Sequence, residues 1–254
     1  MMTFARLLSS ALWALALGCL AVAPAVAQGH RPLKLVVLGD SLSSGFLIPP
    51  SQAFPAVLEA SLRASGLDAE VTNAAVTNDT SWGALARLDR DVAADTDAVI
   101  LELGANDMVR MVDPNLTRAA LEQIVARLGQ RNIPVLLAGF RMPVSWGHDA
   151  AGFEAMYRGL AQRHRLSYHP DFYAGLWTHP GYRLVDGIHP SPAGVRLIVS
   201  AILPTVRRFA ARLPGRRPVA FAQLRKAPEA PSAIPGPAPW GAWLGLLAGY
   251  PLAR

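Results

Sequence analysis

The chain has 254 residues, of which 52% are hydrophobic and 17% are charged. This composition allows one sizeable domain with a large core and excludes global disorder. The net charge of +6 is concentrated at one end, because residues 1–204 carry a balance of −1 and residues 205–254 one of +7. The main part of the chain therefore lacks the basic surface of a nucleic-acid-binding protein, and we predict no nucleic-acid partner.

Residues 1–27 have the pattern of a secretory signal peptide. Arg6 precedes an apolar run over residues 7–20, and Ala25-Val26-Ala27 supplies small residues for cleavage after Ala27. We therefore predict a periplasmic or secreted protein. The alternative is an N-terminal membrane anchor, which the short run and the cleavage pattern disfavour.

The only cysteine of the chain, Cys19, lies inside this segment. A lipoprotein would need Cys19 as its mature N-terminus, but the preceding Ala16-Leu17-Gly18 fits the usual lipoprotein pattern poorly. We therefore predict a mature chain with no disulfide and no thiol nucleophile.

Strand and helix patterns alternate along the following residues. In chain order they predict a strand at 33–38, a helix at 52–64, a strand at 69–75, a helix at 81–93, a strand at 97–103, a helix at 114–128, a strand at 133–140, a helix at 150–164, a weak strand at 166–168 and a helix at 192–213, which Pro204 kinks or breaks. This alternation predicts an α/β fold, with a central parallel sheet of about five strands and helices on both faces.

The composition changes from Pro214 onward, where Pro, Ala, Gly and Arg dominate. We predict a poorly ordered tail over residues 214–254. Its apolar end, Trp240–Tyr250, is too short to span a bilayer. This segment is either a frayed or domain-packed end, or a basic amphipathic segment that makes weak contact with a membrane surface or a partner.

Polar residues follow the first three predicted strands. Ser41, Asn78 and Asn106 come after strands one, two and three, so the parallel sheet gathers them at the carboxyl edge of its strands. His189 comes just before the last helix, and Asp186 lies three residues earlier in the same loop.

A serine, an imidazole and a carboxylate are the parts of a serine hydrolase. Ser41 would be the nucleophile, His189 the base, and Asp186 the acceptor that orients the imidazole. The side-chain amide of Asn106 would donate to an oxyanion. Each group alone has an ordinary explanation, since Ser41 fits a helix N-cap and the other residues fit turns.

Several segments resemble the sequence blocks of the SGNH/GDSL hydrolases. Gly39–Gly45 resembles the nucleophile block, Asn73–Ser81 the second, Glu102–Asp107 the third and Asp186–Pro190 the fifth. Two more segments, Trp82–Leu88 and Arg141–Pro143, resemble the branch of thioesterase I, arylesterases and lysophospholipases. The resemblance covers roughly residues 33–204 and implies a three-layer α/β/α, flavodoxin-like sandwich, here residues 28–213, with no metal or organic cofactor.

The resemblance also implies an oxyanion hole made of the backbone N–H groups of Ser41 and Asn78 and the side chain of Asn106. Asn78 stands where the family has glycine. Because asparagine tolerates the left-handed backbone region better than most residues, we expect the N–H donor to persist. The added side chain would then narrow the acyl pocket or supply a further donor.

We predict an exported serine hydrolase that cleaves small-molecule acyl esters or thioesters through an acyl-enzyme on Ser41, as arylesterases, thioesterases and lysophospholipases do. Two alternatives stay open. The same triad would serve an acyltransferase that passes the acyl group to a saccharide hydroxyl, and the fold would also serve as a non-catalytic binding module at the cell envelope.

Two weaker groups of candidates complete the sequence interpretation. Either an acyl pocket or ordinary loop packing accounts for four residues that follow strands three and four: Met108, Val109, Met111 and Trp146. His169, Asp171 and His179 lack the spacing of metal ligands, so we predict no metal site.

Overall fold

The computed structural model describes residues 31–141 and 149–214. The predicted signal peptide, the tail beyond residue 214, Trp146 and the Met142-Pro143 part of one family motif lie outside the described residues.

A five-stranded parallel sheet forms the centre of the fold. Its strands are β1 (Leu33–Gly39), β2 (Ala69–Asn73), β3 (Ala98–Glu102), β4 (Val135–Ala138) and β5 (Ser167–His169). They lie in the order β2-β1-β3-β4-β5, and every neighbouring pair is parallel. The predicted number of strands and their parallel arrangement are therefore confirmed.

Helices cover the sheet in two groups. The helices of the described residues are α1 (Ser41–Ser44), α2 (Phe54–Ala64), α3 (Ser81–Asp91), α4 (Ala105–Val109), α5 (Pro114–Gln130), α6 (Ala150–Arg163) and α7 (Pro192–Ala210). α2 packs against α7, whereas α5 packs against both α3 and α6. The predicted three-layer α/β/α sandwich is confirmed. None of the helices in the two described ranges is long and apolar enough to cross a membrane.

The last helix departs from its prediction, because α7 continues through Pro204 without a break. Proline removes one helical hydrogen bond, to the carbonyl of the residue four positions earlier. That residue, Ser200, and Pro204 itself are both exposed, so water can satisfy the carbonyl. Of the kink or break predicted at Pro204, the break is therefore wrong.

The strand order places the chemistry-bearing segments together. β1 and β3 are neighbours at the centre of the sheet, and their side chains Leu35, Val37 and Ile100 are fully buried. One residue separates the end of β1 from the start of α1, and two residues separate the end of β3 from the start of α4. Both short helices therefore start at the carboxyl edge of the sheet, where they carry Ser41 and Asn106.

Candidate active site

The turn between β1 and α1 presents the Ser41 hydroxyl. Asp40, not Ser41, caps the helix, since its Oδ1 accepts from the Leu42 N–H at 2.9 Å. The Ser41 hydroxyl is therefore not used as a cap. Ser41 is only 6% exposed, and the Ser41 N–H makes no hydrogen bond with any described residue.

The loop before α7 holds Asp186 and His189 in a fixed turn. Leu184 N–H donates to the His189 carbonyl at 2.8 Å, and a short antiparallel bridge joins Arg183 to Pro190. Asp186 Oδ1 accepts the backbone N–H groups of Ile188 (2.8 Å) and His189 (3.0 Å). The backbone of its own loop therefore fixes the carboxylate beside the His189 ring.

The imidazole of His189 lies between the serine and the carboxylate. Its Nε2 is 2.9 Å from Ser41 Oγ, and its Nδ1 is 2.7 Å from Asp186 Oδ2. The Phe46 ring packs on the imidazole with centroids 4.2 Å apart. This line of contacts joins residues 148 positions apart in the sequence.

The pKa of Asp186 is lowered by its surroundings. Partial burial acts to raise this pKa, but hydrogen bonds from the Ile188 N–H and from the ring and N–H of His189 outweigh it. Asp186 therefore stays ionised at neutral and mildly acidic pH, which is the state that holds a proton on His189 Nδ1.

Asn78 lies in a turn after β2 whose Asp79 N–H donates to the Val76 carbonyl at 3.1 Å. Its φ of 64° falls in the left-handed region, as the sequence predicted for a residue in this glycine position. The Asn78 N–H makes no hydrogen bond with the described residues, whereas its carbonyl accepts from Arg110 Nη2 at 2.8 Å.

Asn106 is the second residue of α4. Its Nδ2 donates one hydrogen to Asp40 Oδ2 at 3.1 Å, which leaves the second amide hydrogen available for another acceptor. Gly104 caps this helix with φ 113°, and a Cβ there would lie 2.3 Å from the Tyr157 hydroxyl. Glycine is therefore required to bring Asn106 to the sheet edge.

The carboxyl group of Asp107 ties the Asn106 segment to the segment after Asn78. It accepts from the Ser81 N–H (2.9 Å) and the Ser81 hydroxyl (2.6 Å), and the Thr117 hydroxyl lies 3.4 Å away. Asp107 is fully buried. The β2–α3 and β3–α4 segments are therefore cross-linked beside the two asparagines.

The proposed pocket residues divide into two kinds. Met108 is 1% exposed and belongs to the hydrophobic core, so it lines no open surface. Val109 and Met111 are 50% and 78% exposed. In the described part of the chain, no three His, Cys, Asp or Glu side chains are grouped as metal ligands would be.

A sequence model of the GDSL-like lipase/acylhydrolase family matches residues 37–197, which contain all of these groups. The chain belongs to this family.

Relatives of known sequence agree with the family assignment. Over 196 residues the chain is 33% identical to esterase TesA of Pseudomonas aeruginosa, which covers 75% of this chain and 95% of the relative. It is 33% identical over 161 residues to an arylesterase of Vibrio mimicus, and the match covers 63% of this chain and 80% of the relative. It is 34% identical over 159 residues to thioesterase 1/protease 1/lysophospholipase L1 of Escherichia coli, and the match covers 62% of this chain and 75% of the relative.

Solved structures agree as well. The crystal structure of TesA superposes with a TM-score of 0.66 at 31% identity, over 69% of this chain and 98% of TesA. AlinE4, described as an SGNH-hydrolase family esterase, gives 0.59 at 32% identity, over 71% and 97%. The predictions of this family and of a hydrolase of carboxylic esters or thioesters are therefore confirmed at the level of the family.

Two buried carboxyl groups, Asp40 and Glu102, lie at the turn between β1 and α1 of this GDSL-like hydrolase. Asp40 accepts from Leu42 and Asn106, while Glu102 accepts from the Ser43 hydroxyl at 2.6 Å. Burial raises the pKa of Asp40 to about 7 despite those hydrogen bonds. Burial also raises the pKa of Glu102 well above its ordinary value, and the neighbouring Asp40 charge adds to this effect.

Replacing Glu102 by glutamine is expected to stabilise the hydrolase above neutral pH. A carboxyl whose pKa is raised by folding contributes stability that is full below its unfolded pKa of about 4, and this contribution is lost as pH rises through the folded pKa. Glutamine still accepts from Ser43 but cannot ionise, so the variant does not lose this stability as pH rises. Thermal unfolding at about pH 8 should show a Tm higher than wild type by roughly 3 °C or more.

The control is Glu70→Gln, an exposed carboxyl on β2. It should leave the dependence of Tm on pH unchanged. A Glu102→Gln variant whose Tm falls between about pH 4 and 8 as steeply as that of wild type would contradict a raised pKa for Glu102.

Sequence reasoning gave no role to three residues of this site. Glu102 had a detectable signal, because a carboxylate inside an otherwise apolar strand is rarely buried without a partner. Phe46 and Asp107 had none beyond their position near the motifs. Their contacts, with His189 and with Ser81, depend on segments that meet only in the folded chain.

Proposed function

We propose that the chain is a serine hydrolase that cleaves acyl esters or thioesters through an acyl-enzyme on Ser41. The observation that carries this proposal is the continuous line of contacts from Ser41 Oγ to His189 Nε2 (2.9 Å) and from His189 Nδ1 to Asp186 Oδ2 (2.7 Å). This is the arrangement that activates a serine hydroxyl in unrelated folds.

Acylation begins when Ser41 Oγ attacks the substrate carbonyl carbon. The new Oγ–C bond forms, the carbonyl electrons move to its oxygen, and His189 Nε2 takes the hydroxyl proton. Collapse of this intermediate breaks the bond to the leaving alcohol or thiol, which receives the proton from His189. Water then attacks the acyl-enzyme with His189 again as base, and the acid is released.

The negative oxygen of the intermediate needs donors that are already in place. We assign this role to the N–H groups of Ser41 and Asn78 and to the second amide hydrogen of Asn106. The two N–H groups make no hydrogen bond within the described residues, which supports the assignment. Asp40 holds Asn106 through its other hydrogen, so the amide needs no reorganisation during the reaction.

The surroundings of the triad favour an apolar acyl or aryl group. Large apolar side chains are exposed on the segments that carry the proposed catalytic groups: Leu47, Val76, Val109, Met111, Val185 and Ile188. Apolar side chains that are exposed together beside a site are typical of a ligand-binding surface. Val109 and Met111 retain their proposed place in an acyl pocket.

We also propose that the enzyme is exported, with a mature domain over residues 28–213 and a poorly ordered tail over 214–254. The support for export is the charged start, apolar run and small cleavage residues of the first 27 positions. N-terminal sequencing of the protein from a periplasmic fraction should begin at Gln28. A mature protein that retains Met1 would contradict export by cleavage.

The acyl-enzyme step is tested by trapping. A p-nitrophenyl alkylphosphonate should release one equivalent of p-nitrophenol and leave a stable adduct, which peptide fragmentation should locate on Ser41 and not on Ser43 or Ser44. An adduct on another residue, or none while esters are hydrolysed, would overturn the proposal. Hydrolysis of p-nitrophenyl esters with an added saccharide then separates water from a sugar hydroxyl as acceptor.

Asn78→Gly is expected to keep the oxyanion donor and to widen the acyl site. Glycine adopts the φ of 64° at no steric cost, so kcat on short acyl esters should stay within about fivefold of wild type. On bulky acyl esters kcat/KM should rise, because the exposed Asn78 side chain no longer obstructs them. The measurement is a chain-length series of p-nitrophenyl esters. A loss on every ester would mean that the side chain itself contributes to catalysis.

A further inference from the structure

Arg87 lies on α3, within the Trp82–Leu88 motif, and its side chain is only 9% exposed. Its guanidinium donates four hydrogen bonds. Three go to residues that precede α3, and one goes to a residue one turn ahead on α3. The acceptors are Asp79 Oδ2 (from Nε, 2.7 Å), the Ala74 carbonyl and Asp91 Oδ2 (both from Nη1, 2.6 Å) and the Gly39 carbonyl (from Nη2, 3.2 Å).

Three of these acceptors, Gly39, Ala74 and Asp79, lie on the two segments that carry the proposed backbone oxyanion donors, whereas Asp91 lies on α3 itself. Gly39 is two residues before Ser41, at the end of β1. Ala74 and Asp79 stand on either side of Asn78, whose turn runs from Val76 to Asp79. One guanidinium therefore joins the end of β1, one peptide before the one that presents the Ser41 N–H, to the turn that presents the Asn78 N–H.

We propose that Arg87 is a positioning residue for the oxyanion hole, one that fixes the distance between the N–H donors of Ser41 and Asn78. The sheet supports the two segments only in part. The last paired residues of β1 and β2 are Val37 and Asn73, and beyond them only the Ala74 and Val76 N–H groups reach β1. The Asn78 turn projects past these bonds. Arg110 binds the Asn78 carbonyl and the Ser44 hydroxyl contacts that of Thr77, but among these side chains Arg87 is the one that also binds the end of β1.

A planar guanidinium is required for this geometry. It offers five donors in a rigid fork, whereas a lysine ammonium is a single point on a flexible stem. The carboxylates of Asp79 and Asp91 compensate the buried charge. Gly83 leaves room for Asp79, because a Cβ at that position would lie 2.0 Å from Asp79 Oδ1.

This inference rests on the proposed function, since it needs Ser41 and Asn78 as oxyanion donors. Arg87→Lys and Arg87→Met are expected to lower kcat by about 10- to 100-fold, because small displacements of a preorganised donor are costly. KM should change by less than about threefold, since the lost interaction is made mainly in the transition state. The inhibition constant of an alkyl trifluoromethyl ketone, whose adduct carries an oxyanion, should rise in parallel with the loss in kcat.

Arg131 supplies a matched control. Its Nη2 also donates to two backbone carbonyls, Val92 (2.5 Å) and Ala93 (3.0 Å), but these precede β3 at the opposite edge of the sheet. Arg131→Met should lose thermal stability as Arg87→Met does and should keep the wild-type kcat. Rates are compared at a temperature where all variants are folded by circular dichroism.

Two further variants make every outcome decisive. Asp79→Asn keeps the side-chain size and weakens only one contact of Arg87, so it tests the inference even if Arg87 variants fail to fold, and it should lower kcat without changing KM. Ser41→Ala that retains activity would refute the proposed function itself. Ser41→Ala without activity, together with Arg87 and Asp79 variants at wild-type kcat, would overturn this inference alone.

Discussion

Ser41→Ala should lower kcat for p-nitrophenyl ester hydrolysis by about 10⁴-fold or more, because it removes the proposed nucleophile. The Ser41 hydroxyl caps no helix and its only side-chain hydrogen bond among the described residues is with His189, so its removal should leave the fold intact. We expect a Tm close to that of wild type. The measurement is initial rates of purified variants at saturating and subsaturating ester.

Ser44→Ala is the matched control for this variant. Ser44 lies on the same short helix, and its hydroxyl is 3.2 Å from the Thr77 hydroxyl, away from the imidazole. It should keep kcat within about threefold of wild type. Ser41→Ala with more than about a hundredth of wild-type kcat would mean that another nucleophile or a directly activated water carries the reaction.

The sheet was predictable because its signals are local. Each of the five strands is a short run with apolar residues, and β1 and β3 read as almost continuously apolar because helices cover both of their faces. The helix ends were predicted less accurately. α2 begins at Phe54, after a separate helical turn at Pro50–Gln52, whereas the spacing of apolar residues alone placed its start at residue 52.

The approach of Ser41 to His189 follows from topology, since Ser41 begins the helix after β1 and His189 lies in the loop before α7, both at the carboxyl edge of a parallel sheet. The contacts that hold the donors could not be predicted in the same way. Arg87 on α3 reads in the sequence as a helix surface residue with an Asp91 partner one turn on. Only the fold brings the Gly39 carbonyl, 48 positions away, within its reach.

Asp186→Asn is expected to lower kcat by about 10²- to 10⁴-fold while leaving the stability of the loop unchanged. The asparagine oxygen can still accept the two N–H groups of Ile188 and His189 that Oδ1 accepts now. Its NH₂ group then faces His189 Nδ1 and donates to it, which forces the ring proton onto Nε2. A protonated Nε2 cannot take the Ser41 proton, so the tautomer is wrong for a general base.

Asp186→Ala separates this tautomer effect from the loss of charge. The Asp186 side chain is 32% exposed, so water can replace the carboxylate beside Nδ1 and keep the productive tautomer. Asp186→Ala should therefore have a higher kcat than Asp186→Asn but a lower Tm, because the acceptor for both loop N–H groups is gone. Rates and thermal unfolding of the two variants, measured side by side, check that Asp186→Ala has the higher kcat and Asp186→Asn the higher Tm. An Asp186→Asn variant that is as active as wild type would refute an orienting role for the carboxylate, since its shape and backbone contacts are retained.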